Sequence, residues 1–521
     1  MAGLVSFRRI MINSQEVLPM HQSLWSLSQK TSTYPPLSQH TKTDICIVGA
    51  GITGITLAYL LKDTPLTICL IDSDRVSSGT TAYTTAKVTA QHDLLYHELI
   101  HTFGHYDAKC YANAQLEALD FISQTIKQHR MDCEFERKFS AIYTQNAHDI
   151  PLFEKEYAAY QELGLKGRLV KTLDLPFPIE CALILENQAQ FNPVKYTTAL
   201  LEEIQTYPNI RIYEQTAATD IKKKDGTLTV CTSLGYKIEA QKVVQTSHYP
   251  FYDDLSFLFA KMEAQTSYLM ACEGVKNMPE GMYLSYGQPT RSIRTYQNYL
   301  LVGGEDHRTG TEKETKTRYE ALTKFATQHF APSNTSYRWS TEDYDTVDRL
   351  PYIGQMKQGD QIFVATGFKK WGMTTSTVAA LLLKDLILGQ ESPYASLFNP
   401  NRQHIAPQIK NLIRYNAQTA WELVKGKLRA EEDLSQLTPG EAVVLKLDEG
   451  KYGVYMDEQG ETWMVDLTCP HLGCELSFNH AERTWDCPCH GSRFDVTGTV
   501  VSGPAHSALK STTNRIDPNL F

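Results

Sequence analysis

The stretch TDICIVGAGITGITLAYLLKDTPLTICLIDSD at residues 43–74 constrains this chain more than any other. An apolar run at 45–48 leads into Gly49, Gly51 and Gly54 in the spacing G-x-G-x-x-G. A helical pattern then continues to about Leu61, and a second apolar run ends in Asp72. Strand, glycine turn, helix and strand in that order make a parallel α/β unit. The three glycines serve a tight turn, the approach of a pyrophosphate to the backbone, and close helix packing, while the helix N-terminus faces the phosphates. An acid 23 residues after the first glycine is placed to accept from adenosine ribose hydroxyls. The pattern predicts a dinucleotide site on Gly49, Gly51, Ile52, Thr53, Gly54, Asp72 and Ser73; an α/β unit without nucleotide is the plainer alternative.

The loop SSGTTAYTTAKVTAQHD at 77–93 is rich in small hydroxyl residues. Much later, DRLPYIG at 348–354 and IFVATGFKKWGMTTSTVAALLLKDLI at 362–387 read as a strand, a glycine turn and a helix. Over about residues 40–400 the chain resembles the D-amino-acid oxidase superfamily, the flavoenzymes that include glycine and sarcosine oxidases. The resemblance implies FAD, with Gly79, Thr80, Thr81, Thr84, Thr85 and Ala86 in a flavin-contacting loop. It also places Gly367, Gly372, Met373 and Thr374 in a turn whose helix points its N-terminus at the flavin pyrimidine edge, where it would stabilise negative charge on the reduced flavin. No second G-x-G-x-x-G occurs, so no separate NAD(P)H site is expected. The fold implied is a nucleotide domain interleaved with a substrate domain on an antiparallel sheet. Strand-like stretches at 267–272, 281–287 and 291–304 would supply that sheet, and helical patterns at 108–129 and 313–330 would cover it.

The other end carries a different chemistry. CPHLGC at 469–474 and CPCHGSRF at 487–494 put four of the chain's 11 cysteines into a short window with two histidines. Cys469 and His471 form C-x-H, and Cys487 and His490 form C-x-x-H, so each loop offers one sulfur and one nitrogen. That mixed donor set matches a Rieske [2Fe–2S] centre, with two cysteines on one iron and two histidines on the other. A zinc site, which is usually richer in sulfur, and free cysteines in a small β-domain are the alternatives.

With Cys474 and Cys489 included, the loops resemble the high-potential Rieske proteins of respiratory and photosynthetic cytochrome complexes. The resemblance implies a disulfide between Cys474 and Cys489, and a hydrogen bond from Ser492 to a cluster sulfur that stabilises the reduced state. Phe494 stands where that branch usually has tyrosine, which removes one donor and predicts a potential below the top of the roughly −150 to +300 mV Rieske range. SGPAH at 502–506 matches the family's proline loop in part, with His506 in place of the second proline.

The expected architecture is therefore α/β: a FAD-binding Rossmann-like domain with an interleaved antiparallel-sheet substrate domain, plus a C-terminal all-β Rieske domain. The divisions read as an N-terminal extension at 1–40, an oxidoreductase domain at 41–397, a helical linker at 398–430 and the Rieske domain at 431–521. In the linker Pro407 fits a first helical turn, and Ile409, Leu412, Ile413, Ala417, Ala420, Trp421 and Val424 recur at helical spacing. Its Lys410, Arg414, Lys425, Lys427 and Arg429 read either as a solvated face or as a dock for the acidic C-terminal module. Residues 431–521 hold 15 Asp+Glu against 6 Lys+Arg, and so carry the whole net charge of −9. Such a surface repels nucleic acid and would steer a basic redox partner, with an acidic solvated surface as the plainer reading.

No apolar run approaches the roughly 18–20 residues of a membrane span. Arg8 and Arg9 lack a following apolar segment, so the start reads as an untargeted extension, with Met11 or Met20 as alternative starts. The other seven cysteines are scattered singly, the usage of a cytoplasmic protein. HELIH at 97–101 satisfies the H-E-x-x-H zinc protease motif, but it falls on a helix that the flavoprotein fold already needs.

Joining a two-electron flavin to a one-electron cluster predicts a dehydrogenase or oxidase. FAD would oxidise a small organic substrate, amine or amino-acid-like by resemblance, and electrons would pass singly to the cluster and on to an unknown one-electron partner protein. Arg291 or Arg294 would clamp a substrate carboxylate, against the plainer reading of arginines on a solvated strand; no catalytic acid or base is assigned. A non-catalytic electron-transfer or redox-sensing protein fits the same cofactors.

Overall fold

A computed structural model describes residues 22–28, 33–253, 256–402, 409–427, 434–447 and 450–512. Arg8, Arg9, Met11, Met20, Pro407 and Arg429 lie outside these residues, as do the side chains of Lys410 and Lys427. The helices in chain order are α1 (Ile52–Leu61), α2 (Tyr96–Phe103), α3 (His105–His129), α4 (Ile150–Leu163), α5 (Pro193–Ile204), α6 (Lys316–Phe330), α7 (Gly372–Ile387), α8 (Ala395–Phe398) and α9 (Ile409–Lys427).

The strand Thr41–Val48 lies inside a sheet that runs in the order Tyr352–Gln355, Ile362–Thr366, Lys237–Gln245, Thr41–Val48, Ile68–Ile71, Ile210–Tyr213. Its last residues are apolar and buried on both faces, as a central parallel strand requires. In register Val48 faces both Gln245 and Ile71, so three parallel strands end together and open on the glycine turn. Nearly all of α1 is buried because α5 and α7 pack against it.

A second sheet runs Asn334–Thr346, Met262–Glu273, Tyr299–Arg308, Arg291–Tyr296, Met282–Ser285, Glu136–Thr144, Cys181–Gln190, Lys87–Val88. The stretches expected at 267–272, 281–287 and 291–304 all lie in it, the last as a hairpin turning at Gln297, φ +51°. Helix α6 covers this sheet as expected. Helix α3 does not: it packs on α2 and α7 in the nucleotide-side core, because its buried Ala108, Ala112, Ala114 and Ala118 face that core.

Strand alternation makes Asn334–Thr346 a partition. Trp339 turns towards the nucleotide side, where its Nε1 donates to the Tyr83 carbonyl at 3.0 Å. The even-numbered residues turn the other way, towards the C-terminal region: Ser340 accepts from Arg493 at 3.3 Å and Glu342 accepts from Ser502 at 3.2 Å.

That C-terminal region is all β, with one sheet of Ala442–Leu447, Gly450–Met456, Thr462–Asp466 and Ser511–Thr512 and another of Ser477–Asn479, Thr484–Asp486, Arg493–Asp495 and Val500–Ser502. Its core centres on Trp485, Phe494 and Phe478. It is clamped to the larger part by Thr315 Oγ1 accepting from the Ala481 N–H at 3.0 Å, by Tyr319 donating to Glu482 at 2.7 Å, and by the ion pair of Lys316 with Glu441.

Helix α9 lies along the seam, but its contacts are not those of the predicted stripe. Asn416 donates to the Ala260 carbonyl at 3.0 Å, Thr419 accepts from Arg308 at 3.0 Å, Tyr415 is buried, and Leu423 packs on the C-terminal core. Ile409, Ile413, Trp421 and Val424 face outward, and Lys425 pairs with Glu422 of the same helix rather than docking the acidic module. A helix held by Asn416 on a backbone carbonyl and by Thr419 on the Arg308 guanidinium is oriented by those bonds and not by its apolar stripe.

Candidate functional site

Three separated segments meet where the parallel strands end. Gly49 has φ +110°, and a Cβ there would lie 2.6 Å from the Thr246 carbonyl group. A Cβ on Gly54 would lie 2.0 Å from the Gly49 oxygen, so turn and helix close only on glycine. The Ile52 N–H donates to Thr81 Oγ1 at 3.0 Å, and Ser77 N–H donates to the Ala50 carbonyl, which ties the hydroxyl-rich loop to the turn. Asp72 accepts from the Ala50 N–H at 2.7 Å and from Asp74 N–H at 3.0 Å; burial still pushes its carboxyl up to about 6. Thr53 is buried in the helix, Ser73 and Gly79 are exposed, and Thr80 opens a short 3₁₀ turn. Thr84 accepts from the Ala86 N–H at 3.0 Å, Ala86 has φ +54°, and Thr85 between them is half-buried.

The third segment is the turn into α7. Gly367 has φ +73°, and Met373 and Thr374 are buried. Thr374 donates to the Thr89 carbonyl at 3.1 Å, which joins this turn to the hydroxyl-rich loop. Neither α1 nor α7 has a side-chain cap, and a Cβ on Gly372 or Gly79 would meet open space within 4 Å. Uncapped helix ends beside open glycine surfaces are the fit a dinucleotide requires.

Sequence reasoning missed His92, although it stands in the hydroxyl-rich loop at 77–93. Its ring stacks on Trp371 with centroids 4.7 Å apart, its Nε2 donates to the Thr89 carbonyl at 2.8 Å, and its Nδ1 accepts from Tyr111 at 2.6 Å. Burial pushes His92 down to about 3, so it stays neutral. Lys87 was also missed: its ammonium donates to the Tyr283 carbonyl at 2.6 Å, and burial and the nearby Arg294 push it down to about 7.

The two candidate arginines have different fates. Arg291 is paired with Glu305 at 2.6 Å, which Arg318 shares at 3.3 Å. Arg294 is fully buried, donates once to the Ala86 carbonyl at 2.7 Å, lies over the Trp25 ring at 5.3 Å, and leaves Nε and one terminal nitrogen without hydrogen-bond partners among the described residues. The protease motif does not assemble: His97 pairs with Glu156 at 2.7 Å, Glu98 pairs with Arg349, and His101 is exposed.

At the C-terminal end the two loops converge. Cys474 and Cys489 form a disulfide with Cα atoms 6.4 Å apart. The Cys469 and Cys487 thiols are free, buried and hydrogen-bonded to one another; that bond and the His471 and Leu472 N–H groups hold Cys469 down, while the bond and burial push Cys487 up. His471 and His490 cross edge to face with centroids 5.0 Å apart, and burial holds them neutral, down to about 4 and about 3. Both Nδ1 atoms are buried with no hydrogen-bond partner among the described residues. Two thiols and two neutral imidazoles with orphaned nitrogens fit a Rieske group. The sulfurs of Cys474, Cys487 and Cys489 also lie within 4.8 Å of one another, but two of them are spent in the disulfide. Ser492 Oγ contacts Cys469 and accepts from the Ala505 N–H at 3.2 Å.

These loops pack on the oxidoreductase part, where a Cβ on Gly491 would lie 2.5 Å from the Ala264 Cβ, while Leu472 at the tip of the first loop stays 54% exposed. The edge of His471 meets Tyr249 at 6.2 Å and His490 meets Phe259 at 5.8 Å, ring centroid to centroid. His506 reaches the same wall, with its Nε2 3.3 Å from the Phe251 carbonyl oxygen.

Two family profiles match the chain: FAD dependent oxidoreductase (DAO) over residues 44–386, and Rieske [2Fe-2S] domain over residues 427–513. YhfW of Bacillus subtilis (strain 168), whose name describes a Rieske 2Fe-2S iron-sulfur protein, is 42% identical over 94% of this chain and 97% of its own. The chloroplastic cytochrome b6-f complex iron-sulfur subunit of Pisum sativum is 38% identical over 24% of this chain and 55% of its own. Among solved structures, glycine oxidase from Geobacillus kaustophilus superposes with a TM-score of 0.58 at 17% identity, over 70% of this chain and 99% of that one. L-proline dehydrogenase from P. horikoshii superposes at 0.59 and 15% identity, over 70% and 98%. At these identities the superpositions speak for the fold.

Proposed function

The chain belongs to the FAD dependent oxidoreductase family and ends in a Rieske [2Fe-2S] domain, and from that premise we propose that it oxidises a small amine or amino-acid-like substrate at FAD and passes the electrons singly through the Rieske group to an acceptor protein. When bound, FAD supplies two-electron hydride acceptance and the [2Fe-2S] group one-electron transfer.

The observation that carries this reading is the packing of the ligand loops on the segment that also holds the strand before the Gly367 turn. Tyr249, against His471, is the residue after His248, whose carbonyl accepts from Thr366 at 2.6 Å, immediately before the Gly367 turn. In this reading Gly49, Gly51, Ile52, Thr53 and Gly54 hold the pyrophosphate, and Asp72 and Ser73 the adenosine ribose. Gly79, Thr80, Thr81, Thr84, Thr85 and Ala86 line the flavin, while Gly367, Gly372, Met373 and Thr374 present the positive end of α7 to its pyrimidine edge. Cys469, Cys487, His471 and His490 are the iron ligands.

Arg294, with two free donors, is the arginine able to take a substrate carboxylate, whereas Arg291 is neutralised by Glu305. Lys87 Nζ, beside it, is the titratable group able to hold or release a proton near neutral pH.

No helix among the described residues is long and apolar enough to cross a membrane. Cys46, Cys69, Cys110, Cys133, Cys181, Cys231 and Cys272 are free thiols, which supports a cytoplasmic location. The test is anaerobic titration of the purified protein with a panel of amines and amino acids, following flavin absorbance and the Rieske electron paramagnetic resonance signal together. Bleaching accompanied by the cluster signal supports the enzyme; a flavin untouched by the whole panel sinks it in favour of a carrier or sensor.

A further inference from the structure

The face of the partition strand that carries Trp339 turns polar further along. Alternation puts Thr341, Asp343 and Asp345 on the Trp339 side, and the register of the neighbouring strand sets Ser267, Gln265 and Glu263 opposite them. Trp339 reaches the hydroxyl-rich loop through the Tyr83 carbonyl, and the Lys369 N–H donates to the Tyr344 carbonyl at 3.1 Å. The polar strip therefore runs from the flavin-contacting loop to the turn into α7, and Asp343 stands next to that last bond. Thr341, Ser267 and Asp343 are 9%, 7% and 8% exposed. Neither hydroxyl has a hydrogen-bond partner among the described residues, and Asp343 has neither a hydrogen bond nor an ion pair among them. Asp345 leaves Oδ1 buried and unpartnered in the same way. The nearby cations are already paired, Arg308 with Glu263 at 3.4 Å and Lys370 with Asp306 at 3.2 Å. Burial pushes the Asp343 carboxyl up to about 7, against the pull of Lys370. Buried acceptors left unpaired are costly, so a carboxylate and two free hydroxyls in a strip with more acids than cations call for a cationic donor.

We propose that Asp343, with Thr341 and Ser267, binds the protonated nitrogen of the substrate, so that the charge recognised beside the flavin is an ammonium. The inference deepens the reading of this part as an FAD site for amines and rests on it. In the site one N–H of the ammonium donates to the Asp343 carboxylate and the others to the Thr341 and Ser267 hydroxyl oxygens, which gives each buried acceptor the partner that the chain itself does not supply. A neutral molecule of the same shape satisfies the hydroxyls but leaves the carboxylate uncompensated, and an anion is repelled by it.

The test uses full-length holoprotein and tert-butylammonium, which carries the charge but has no hydrogen on the carbon beside nitrogen and so cannot be oxidised to an imine. Binding is read as the perturbation of the oxidised flavin absorbance, with tert-butanol and pivalate as the neutral and anionic probes of similar shape. The cation is expected to bind saturably and at least about tenfold tighter than either other probe, and Asp343→Asn to weaken it at least about tenfold. Thr341→Val keeps the side-chain shape and is expected to weaken it about threefold, which decides the matter if Asp343→Asn does not fold. A parent that does not bind the cation, or that binds tert-butanol or pivalate as tightly, overturns the inference. So does cation binding undiminished in either variant. A parent isolated without flavin absorbance defeats the underlying reading, and the inference with it, and the two failures are told apart by that spectrum.

Discussion

Gly310, in the turn after the strand Tyr299–Arg308, and Cys487 of the ligand loop meet backbone to backbone: a Cβ on Gly310 would lie 2.8 Å from the Cys487 carbonyl carbon and 2.6 Å from the Pro488 nitrogen. Gly491 answers from the other side, where a Cβ would lie 2.5 Å from that of Ala264. The two parts are thus fitted at a spacing that no side chain can enter.

Gly310→Val tests that fit. Its φ of +71° strains any β-branched residue, and the added carbons push on the loop. We expect FAD and iron contents to be kept and dithionite still to reduce the cluster, with substrate-driven cluster reduction slowed at least about tenfold, equivalent to about 1.4 kcal/mol of barrier. Stopped-flow absorbance at the two cofactors measures it; an unchanged rate argues against electron transfer across this contact.

His490→Ala and Cys469→Ser each remove one proposed iron ligand. Iron content and the Rieske signal should fall close to zero in both, while flavin absorbance persists because no segment of the glycine turn is touched. Retention of full iron in either variant would contradict the ligand assignment.

Arg294→Gln and Arg291→Gln should separate binding from stability. Loss of a charge-assisted bond of about 1.5–3 kcal/mol at Arg294 lowers kcat/KM for a carboxylate-bearing substrate by about 10- to 150-fold. At Arg291 the change leaves the buried Glu305 short of a partner, so Tm falls while kcat/KM stays near the parent value. Equal kinetic losses at both positions would refute the distinction.

His92 and His248 are held neutral by burial, at about 3 and about 4. Because the unfolded imidazole protonates near 6.5, the unfolded chain binds more protons as pH falls below that value, and stability falls with pH between about 6.5 and 4. Each residue contributes up to about 1.4 kcal/mol per pH unit there. His92→Gln should flatten the decline of Tm over that window, measured by calorimetry at constant ionic strength, without steepening it above pH 7.

Short-range chemistry was legible in the residues. The glycine turn, the terminal acid and the two Cys/His loops each specify local backbone over a few positions, and the elements stand where their spacing demands. The α9 stripe misled because helical periodicity marks an amphipathic face without saying which partner claims it; Asn416 and Thr419 settle the orientation through bonds to residues more than a hundred positions away. His92 was passed over within the hydroxyl-rich loop because nothing in its neighbours tells a buried histidine from an exposed one.

What the sequence determined by itself is the donor chemistry at each end: glycines ahead of helix starts for a dinucleotide, two thiols and two imidazoles for iron. Only the tertiary structure decided that those ends pack on opposite sides of the strand Asn334–Thr346, which arginine keeps nitrogens without hydrogen-bond partners, and that Tyr249 packs on His471. Alternating side chains give one strand two faces, and which face meets which neighbour depends on packing between segments more than a hundred residues apart, which no local spacing encodes.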